Sequence, residues 1–438
     1  MRQTETIGAL VRRSRALLGV LGLSAALLGA GAASAQDRWR MLPPDAEMPT
    51  PRAEAATAVL DGRVCVMGGR DGQGEVLAVA ECFDPFIEAW TDDLPALGRV
   101  RYNAAAVELG GAIYVIGGRG RDEGEVLDAV ERFDPGEGRW RDVAPMRQER
   151  EGHAAVAFDG RIFVFGGSER GAGLLETIEV YDPGRDAWEL LPGWQLDLGR
   201  RALSAAAFGD SLYVFGGLSQ FGPVARVEVF GRDGGRRSIP TPPGFVARRN
   251  FAAVVHEESV FVIGGRGPEG AGQSVLRDAI AFSPLHRGWS PVPSLQTSRE
   301  SFGAASVGGR LIVLGGRDAF DAVTGSVEVL DTGAAVADEA PVRPAAFTLG
   351  AAFPDPFAAG TTIPFDLPGD VPGRAVLDVH DLFGRRVTTL VDAVLAPGRH
   401  AVTWDGRAAD GRSVASGVYL VRLRHGTRSA VRAVAVVR

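Results

Sequence analysis

A Gly-Gly pair recurs six times along the chain at nearly constant spacing. The first glycines of the pairs stand at positions 68, 117, 166, 216, 264 and 315, so successive pairs are 49, 49, 50, 48 and 51 residues apart. Each pair ends a short apolar run, such as Val64 to Met67 or Ile113 to Ile116. A period of this length is typical of repeat architectures such as solenoids and propellers. The chain is therefore predicted to contain six copies of one structural unit.

Each unit is predicted to form four short strands, which we label a to d. A tight turn such as Asp61-Gly62 separates strands a and b, because an Asp-Gly pair suits a two-residue hairpin turn with positive φ. Strand c carries an aromatic residue, which the turn signal Asp-Pro follows in the first three units. Seven residues after that aromatic, strand d carries Trp90, Trp140, Trp188 or Trp289. Four strands per unit, repeated in series, predict the antiparallel blades of a β-propeller.

This pattern resembles the kelch family, with Gly-Gly after strand b, an aromatic on strand c and a tryptophan on strand d. The resemblance covers roughly residues 36 to 340. It implies an all-β chain with a six-bladed kelch-type propeller and no long helix after residue 36. Two positions depart from the pattern, since Arg237 replaces the tryptophan of the fourth unit and Ser283 replaces the aspartate before Pro284.

The sixth unit lacks its tryptophan, because Ala337 occupies that position. A spare tryptophan, Trp39, stands ahead of the first unit. We therefore expect residues near 38 to 42 to form strand d of the last blade. This N-terminal strand would close the ring and cover two strand edges that are otherwise free to aggregate.

An arginine lies sixteen residues before the first glycine of every pair. A residue that all blades share is expected to be architectural, because an asymmetric ligand needs asymmetric contacts. We expect this arginine ring to hydrogen-bond neighbouring loop carbonyls, and we assign a structural role also to the recurring strand c glutamates, such as Glu81 and Glu131. The ring consists of Arg52, Arg101, Arg150, Arg200, Arg248 and Arg299.

The face that carries the d–a and b–c loops is the predicted binding face. These loops are longer than the a–b and c–d turns and vary between blades, and variable loops on a rigid scaffold commonly bind ligands. Their guanidinium groups suit a carboxylate, an anionic sugar or a protein strand. The alternative is an ordinary solvated surface, since all 47 basic residues of the chain are arginine. The predicted face consists of Tyr102, Glu151, Arg201, Arg249, Glu300, Arg70, Arg119, Arg266 and Arg317.

Charge and motifs limit the chemistry that we expect. The 47 basic and 54 acidic residues give a net charge of −7, which excludes the basic footprint of a nucleic-acid-binding protein. None of the six histidines lies at metal-ligand spacing, and no known nucleophile, phosphate or dinucleotide motif occurs in its required context. We therefore expect a binding protein for a protein or glycan, with no cofactor, metal or catalytic residue.

An extracellular carbohydrate-active enzyme is the alternative function. The kelch resemblance includes bacterial six-bladed mutarotases of sugar acids such as sialic acid. Glu151 and Glu300 would then act as acid and base across the channel.

Residues 1–35 are predicted to be a secretory signal peptide. Arginines precede an apolar run from Ala16 to Ala30, and Ala33-Ser34-Ala35 gives a small-x-small cleavage pattern before Gln36. Cleavage between Ala35 and Gln36 leaves 43 basic and 53 acidic residues, a charge of −10. No later segment is long and apolar enough to span a bilayer. We expect a protein that is secreted or held at the outer cell surface.

Cys65 on strand b and Cys82 on strand c of the first unit are the two cysteines. Their pairing is centred on the turn Gly72-Gln73-Gly74, so the two residues are expected to oppose each other on adjacent strands. A disulfide suits that position in an oxidising compartment. Cys65 also aligns with the apolar positions Tyr114 and Phe163, so a buried unpaired cysteine stays the alternative.

A second domain is predicted over residues 345–438, after a linker at 341–344. About seven short strands in its 94 residues favour an immunoglobulin-like sandwich. Its motifs include Pro354-Asp355-Pro356-Phe357, Trp404-Asp405-Gly406 and Ser416-Gly417-Val418-Tyr419. They resemble the C-terminal sorting domain of type IX secretion substrates, which is related to the Ig-like domain of the flagellar hook-capping protein, although asparagine is usual at Asp355.

The resemblance of the second domain implies a bacterial protein that is exported across the outer membrane. The secretion machinery would then be a partner of this domain, and export would end in cleavage or surface attachment. The alternative is a plain adhesive Ig-like module.

Overall fold

The computed structural model describes residues 38–91, 94–122, 124–171, 173–268, 274–332, 347–350, 352, 355–357, 360–368, 373–395 and 397–437. These residues form two all-β parts, a propeller over 38–332 and a sandwich over 347–437. The helical content of the described residues is one 3-10 turn, Pro44–Ala46. The predicted signal peptide, its cleavage site at Ala35 and Gln36, and the predicted linker lie outside the described residues.

Six four-stranded antiparallel sheets form the propeller, each in the spatial order a-b-c-d. Blade 1 contains Ala56–Leu60, Arg63–Met67, Ala80–Asp84 and Ala89–Thr91. Blade 2 contains Ala105–Leu109, Ala112–Ile116, Val130–Asp134 and Arg139–Val143. Blade 3 contains Ala154–Phe158, Arg161–Phe165, Thr177–Asp182 and Ala187–Gln195.

The remaining blades repeat this arrangement. Blade 4 contains Ser204–Phe208, Ser211–Phe215, Val227–Gly231 and Arg236–Ile239. Blade 5 contains Ala252–His256, Ser259–Ile263, Ala279–Ser283 and Gly288–Val292. Strands a to c of blade 6 are Gly303–Val307, Arg310–Leu314 and Val327–Asp331. The loops add the two-residue strands Ser168–Glu169, Gly173–Leu174, Arg200–Arg201, Leu218–Ser219 and Gly222–Pro223.

Strand d of blade 6 comes from the other end of the propeller, as the missing sixth tryptophan predicts. Trp39–Met41 pairs antiparallel with strand c of that blade, with Trp39 opposite Leu330. The Trp39 side chain is buried, and its indole nitrogen donates a hydrogen bond to the carbonyl oxygen of Pro293 at 2.9 Å. The last blade is therefore assembled from both ends of the propeller sequence.

In five of the six blades, a strand d tryptophan joins the blade to the loop that precedes it. The ring of Trp90 packs at a tilt against Phe83 of strand c, with 5.4 Å between the ring centroids, and its indole nitrogen donates to the carbonyl oxygen of Ala46 at 2.9 Å. Trp188 packs in the same way on Tyr181 and donates to Ala144. The recurring aromatic pair therefore buries apolar area and also satisfies a loop carbonyl.

Blade 1 carries the disulfide. Cys65 and Cys82 oppose each other on strands b and c and are bonded, with both side chains buried between blades 1 and 2. The alternative of an unpaired buried cysteine at position 65 therefore does not hold in this structure.

The second part is an Ig-like sandwich of two sheets, which confirms the predicted fold class. One sheet contains Thr348–Leu349, Thr361–Leu367 and Gly398–Trp404. The other has the spatial order Arg386–Leu395, Gly373–His380, Gly417–His425 and Arg428–Val436. The motif residues Trp404 and Tyr419 pack edge to face in the core between the sheets at 5.4 Å.

Candidate functional site

The arginine ring is buried and is paired with strand c in five blades. Arg150 lies 2.8 Å from Glu179, and both side chains have no solvent exposure. In blade 5 an isoleucine, Ile280, replaces the glutamate, and Arg248 reaches Asp278 at 2.7 Å instead. The glutamate pairs are Arg52–Glu81, Arg101–Glu131, Arg150–Glu179, Arg200–Glu228 and Arg299–Glu328. These groups are not accessible to a ligand.

The Gly-Gly pairs belong to the same structural framework. The N–H of Gly69 donates to the carbonyl oxygen of Arg101 in the next blade at 2.7 Å. A Cβ on Gly68 would lie 2.4 Å from that oxygen, and the φ of Gly68 is +64°. Glycine is therefore required both for the close approach and for the backbone conformation.

A second ring, which we call the collar, lines the central channel. The collar residue stands two positions after the ring arginine and has a φ between +51° and +60° in all six blades. Its N–H donates to the carbonyl oxygen of the collar residue in the preceding blade, which gives a closed circle of six backbone hydrogen bonds of 2.6–3.0 Å. The collar consists of Glu54, Asn103, Gly152, Ala202, Asn250 and Ser301.

Above the collar lies an open cavity of about 370 Å³, which we call the mouth. Six members of the predicted binding face line it together with the collar residues: Glu151, Arg201, Arg249, Arg266, Glu300 and Arg317. The other three predicted residues, Arg70, Tyr102 and Arg119, are not part of this lining. Arg70 lies over the ring of Tyr102 at 4.8 Å, and Arg119 contacts Glu151. The d–a and b–c loops therefore bring most of the predicted residues together at one end of the channel.

Glu151 is a buried carboxylate that organises one side of the mouth. It accepts hydrogen bonds from Arg119 at 3.3 Å, from Arg201 at 3.2 Å and from Asn103 Nδ2 at 3.2 Å. Only 5% of its side chain is exposed, whereas 42% of the Arg201 side chain is. The carboxylate therefore fixes two guanidinium groups, of which Arg201 presents much of its surface to solvent.

Glu300 repeats this arrangement on the opposite side, three blades away. It accepts hydrogen bonds from Arg266 Nε at 2.6 Å and from Asn250 Nδ2 at 3.0 Å. Neither Glu151 nor Glu300 is isolated in solvent. Both act here as anchors for arginine and asparagine side chains.

Glu54 is a third carboxylate, which the sequence interpretation missed. Its side chain lies 4.0 Å from Arg70 and 3.9 Å from Arg317. Burial raises the pKa of Glu54, and the charges of Glu300 and Glu151 raise it further against the opposing effect of the two arginines. The available sequence signal was the position two residues after each ring arginine, where asparagine occurs twice and glycine once, since both residues tolerate positive φ.

Below the collar lies a narrower cavity of about 150 Å³ that shares the collar lining with the mouth. His153 lines it, and neither of its ring nitrogens has a hydrogen-bond partner among the described residues. In the described part of the chain, no group of three or more histidine, cysteine or acidic residues could hold a metal ion. No helix of the described residues is long and apolar enough to cross a membrane.

Three matches to protein-family models cover both parts of the chain. Residues 103–316 match the KLHDC2/KLHL20/DRC7 kelch-repeats domain, and residues 51–92 match the kelch motif. Residues 356–429 match the FlgD Ig-like domain.

Similar proteins include two with kelch-like names and a scruin. Kelch-like protein 25 of Xenopus tropicalis is 28% identical over 185 residues, which are 41% of this chain and 31% of that protein. Alpha-scruin of Limulus polyphemus is 29% identical over 206 residues, 44% of this chain and 22% of that protein. Kelch-like protein 35 of Mus musculus is 30% identical over 278 residues, 62% of this chain and 44% of that protein. The chain therefore spans less than half the length of these relatives.

Among solved structures, YjhT shares the fold. It aligns with a TM-score of 0.55 at 17% sequence identity and covers 64% of this chain and 95% of that chain. The chain therefore carries kelch repeats, and its first part is a six-bladed kelch-type propeller that an Ig-like domain follows.

Proposed function

We propose that the propeller is a binding module that takes an anionic group of a protein or glycan at its mouth. The observation that carries this proposal is the charge of the mouth and its immediate surroundings. Six arginines stand there against the four carboxylates Glu54, Glu151, Glu300 and Asp321, although the chain as a whole is acidic. A bound anion accepts hydrogen bonds from guanidinium groups and relieves their mutual repulsion. Kelch-type propellers generally bind other proteins, which is consistent with this role.

The overall negative charge opposes this binding only at long range. At physiological salt the Debye length is about 8 Å, so groups within the mouth dominate once a ligand is close. We therefore expect binding to depend on the individual arginines that line the mouth, which we call the rim arginines: Arg201, Arg249, Arg266 and Arg317.

An array of glycans and peptides, probed with the protein without residues 1–35, tests the proposal. Acidic members should be retained more strongly than neutral ones of the same size. The variant Arg201→Gln should lose this preference, because Arg201 is a half-buried arginine of the mouth. The matched control is Arg185→Gln, which removes an exposed, ion-paired arginine from the opposite face. Equal retention of acidic and neutral members, or no loss in Arg201→Gln, would contradict the proposal.

We also propose that the protein is exported and acts outside the cytoplasm. The predicted signal sequence at residues 1–35, the tail that resembles a sorting domain and the Cys65–Cys82 disulfide support this localisation, since disulfides persist in oxidising compartments. Mass spectrometry of the protein from cells and from the culture medium is the test. A mature N-terminus at Gln36 in the medium or at the cell surface is expected, whereas an intact Met1 in the cytoplasm would reject export.

A sugar-acid mutarotase is the second candidate, and the raised pKa of Glu54 favours it. Opening a sugar ring needs a group that holds a proton near neutral pH, and burial shifts Glu54 in that direction. Nuclear magnetic resonance of freshly dissolved sugar acids measures how fast their anomers interconvert. Acceleration by the protein that Glu54→Gln abolishes would support catalysis. No acceleration would leave binding as the function.

A further inference from the structure

The Ig-like domain presents two large apolar side chains to solvent at the tip of one turn. Leu382 and Phe383 are 65% and 86% exposed, and they are adjacent in the turn that joins Gly373–His380 to Arg386–Leu395. Both side chains leave water only when another surface covers them. Full burial of either one corresponds to about tenfold or more in affinity.

The turn is held by its own hydrogen bonds. Asp381 Oδ1 accepts the backbone N–H groups of Phe383 at 3.0 Å and of Arg385 at 2.9 Å, and Asp381 Oδ2 accepts a hydrogen bond from Arg385 Nε at 2.7 Å. Gly384, with a φ of +79°, donates its N–H to the carbonyl oxygen of Asp381 at 2.9 Å. Because the backbone of the tip is already fixed, docking costs little conformational entropy.

Arginines lie at the same end of the domain as the apolar tip. Arg385 follows the apolar pair closely and is exposed. The loop that carries the exposed residues Arg407 and Arg412 also lies at this end, because the N–H of Ala409 donates to the carbonyl oxygen of Val387 at 3.0 Å. The tip therefore combines apolar side chains with guanidinium groups.

The charge of the second domain is opposite to that of the rest of the chain. Residues 345–438 contain 11 basic and 8 acidic residues, a charge of +3, whereas residues 36–344 contain 32 basic and 45 acidic residues, a charge of −13. Around the tip, four arginines stand against three aspartates, Asp381, Asp405 and Asp410. A basic domain in an otherwise acidic chain favours a separate anionic partner for that domain.

We propose that this tip docks on an anionic lipid surface, with Leu382 and Phe383 in the interfacial layer and the neighbouring arginines on headgroup phosphates. A membrane surface offers this combination, because its acyl chains lie directly beneath anionic phosphates. A protein partner fits less well, since stable protein interfaces bury more than about 1,000 Å² and the surroundings of the tip are charged. This surface lies outside the mouth, and the inference does not depend on the ligand of the mouth.

Vesicle flotation tests the proposal with the protein without residues 1–35, since the apolar run of the predicted signal peptide would itself bind lipid. Vesicles of phosphatidylcholine and phosphatidylglycerol in equal parts should carry the protein. Vesicles of phosphatidylcholine alone should carry it several-fold less, because each arginine near an anionic surface contributes about fivefold. Glycerol phosphate, a free headgroup, should not release the protein, because it offers no apolar layer to the tip.

The double variant Leu382→Ser/Phe383→Ser tests the apolar contact. It should bind the anionic vesicles at least about tenfold less than the parent. Its fold should persist, because both side chains are exposed and the turn is held through the backbone N–H at position 383. The matched control is Phe320→Ser, which removes a phenylalanine that is 91% exposed on a propeller loop and should float like the parent.

The variant Arg412→Gln tests the headgroup contact. It should lower binding to the anionic vesicles about fivefold and leave the weak binding to phosphatidylcholine unchanged. The control Arg428→Gln removes an exposed arginine from the opposite end of the same domain, where His425 pairs with Ala375, and should have no effect.

Four results would overturn the proposal: no flotation with anionic vesicles, equal flotation of the parent and the double variant, equal losses in Arg412→Gln and Arg428→Gln, or release by glycerol phosphate. The mouth variant Arg201→Gln should float like the parent. Failure of the lipid contact would therefore leave anion binding by the mouth standing, and the reverse also holds.

Discussion

Arg150 Nη2 lies 2.8 Å from Glu179 Oε1, and both side chains are wholly buried. The same carboxylate accepts the backbone N–H groups of Arg147 and Gln148, while Arg150 donates to the carbonyl oxygen of Gly166. One ion pair thus holds the loop before strand a against strands b and c. The same arginine–glutamate pair occurs in five of the six blades. These pairs therefore hold the loops that form the mouth in place.

Removing one partner of this pair should be strongly destabilising. Arg150→Met leaves Glu179 buried without its counter-charge, which typically costs about 3–5 kcal/mol of the free energy of unfolding. Denaturant unfolding followed by tryptophan fluorescence measures the loss. The control Arg185→Met breaks an exposed pair with Glu189, where a loss of about 1 kcal/mol or less is expected. A loss below about 1 kcal/mol in Arg150→Met would show that the ring is not structural.

Closure by the N-terminal strand should make Trp39 essential for the whole propeller. Trp39→Ala removes a buried side chain and its hydrogen bond to Pro293, and such a truncation costs about 3–5 kcal/mol. Deletion of residues 36–44 should be at least as damaging, because strand c of blade 6 loses its partner. Thermal unfolding by circular dichroism is the measurement. A deletion variant that melts like the parent would indicate that another segment supplies the last strand.

His153 should make the propeller sensitive to acid. Burial, with the nearby charge of Arg150, lowers the pKa of His153 to about 3, whereas an unfolded histidine has a pKa of about 6.5. The folded state therefore disfavours the proton. Above about pH 6.5, His153 is neutral in both states and does not lower the free energy of unfolding. As the pH falls from about 6.5 toward 3, only the unfolded state takes up the proton, so the free energy of unfolding decreases by up to about 1.4 kcal/mol per pH unit.

The variant His153→Phe checks this pH dependence. Phe251 and Phe302 occupy the corresponding position in blades 5 and 6, and their rings contact Gly216 and Gly264 as the His153 ring contacts Gly117. Phenylalanine should therefore fit. Between pH 7 and pH 4, the free energy of unfolding should fall less steeply in the variant than in the parent. The difference in slope should correspond to the uptake of about one proton on unfolding. Parallel curves would contradict a buried neutral histidine.

Ala202→Gly should stabilise the protein, although glycine usually weakens a fold. Ala202 has a φ of +54°, where an alanine Cβ is strained and glycine is not. A gain of about 1 kcal/mol is expected in denaturant unfolding. The control Ala206→Gly lies in strand a of blade 4 and should be destabilising by about 0.5–1 kcal/mol. A loss in both variants would show that the collar conformation carries no strain at Ala202.

The architecture could be predicted because it is periodic in the sequence. Six arginines at one offset indicate a shared framework, and the absence of one tryptophan beside a spare Trp39 indicates how the ring closes. The structure shows the arginines buried and Trp39 paired with the last blade. The sequence shows that Ile280 replaces the strand c glutamate in blade 5, but it does not show that Asp278 pairs with Arg248 instead. That ion pair depends on how far the two side chains extend in the folded protein.

The site was less predictable because it depends on backbone conformation and burial. The recurrence of Asn103 and Asn250 hints at positive φ, but a closed hydrogen-bond circle becomes visible only when the blades are assembled. Glu54 could not be identified from the sequence for this reason. Its two arginine neighbours, Arg70 and Arg317, and its carboxylate oxygen without a hydrogen-bond partner are apparent only in the folded protein. The sequence predicted that Cys65 and Cys82 oppose each other but left their bond open, because a cysteine at an apolar strand position can also be buried without a partner.

The central claim is that a ligand anion binds in the mouth above the collar. A crystal structure of the protein without residues 1–35, grown with galacturonate, tests it most directly. We expect the carboxylate of the sugar within hydrogen-bond distance of arginines that line the mouth, such as Arg317 or Arg201. Galacturonate on the outer surface of the blades, or an empty mouth at saturating concentration, would contradict the account.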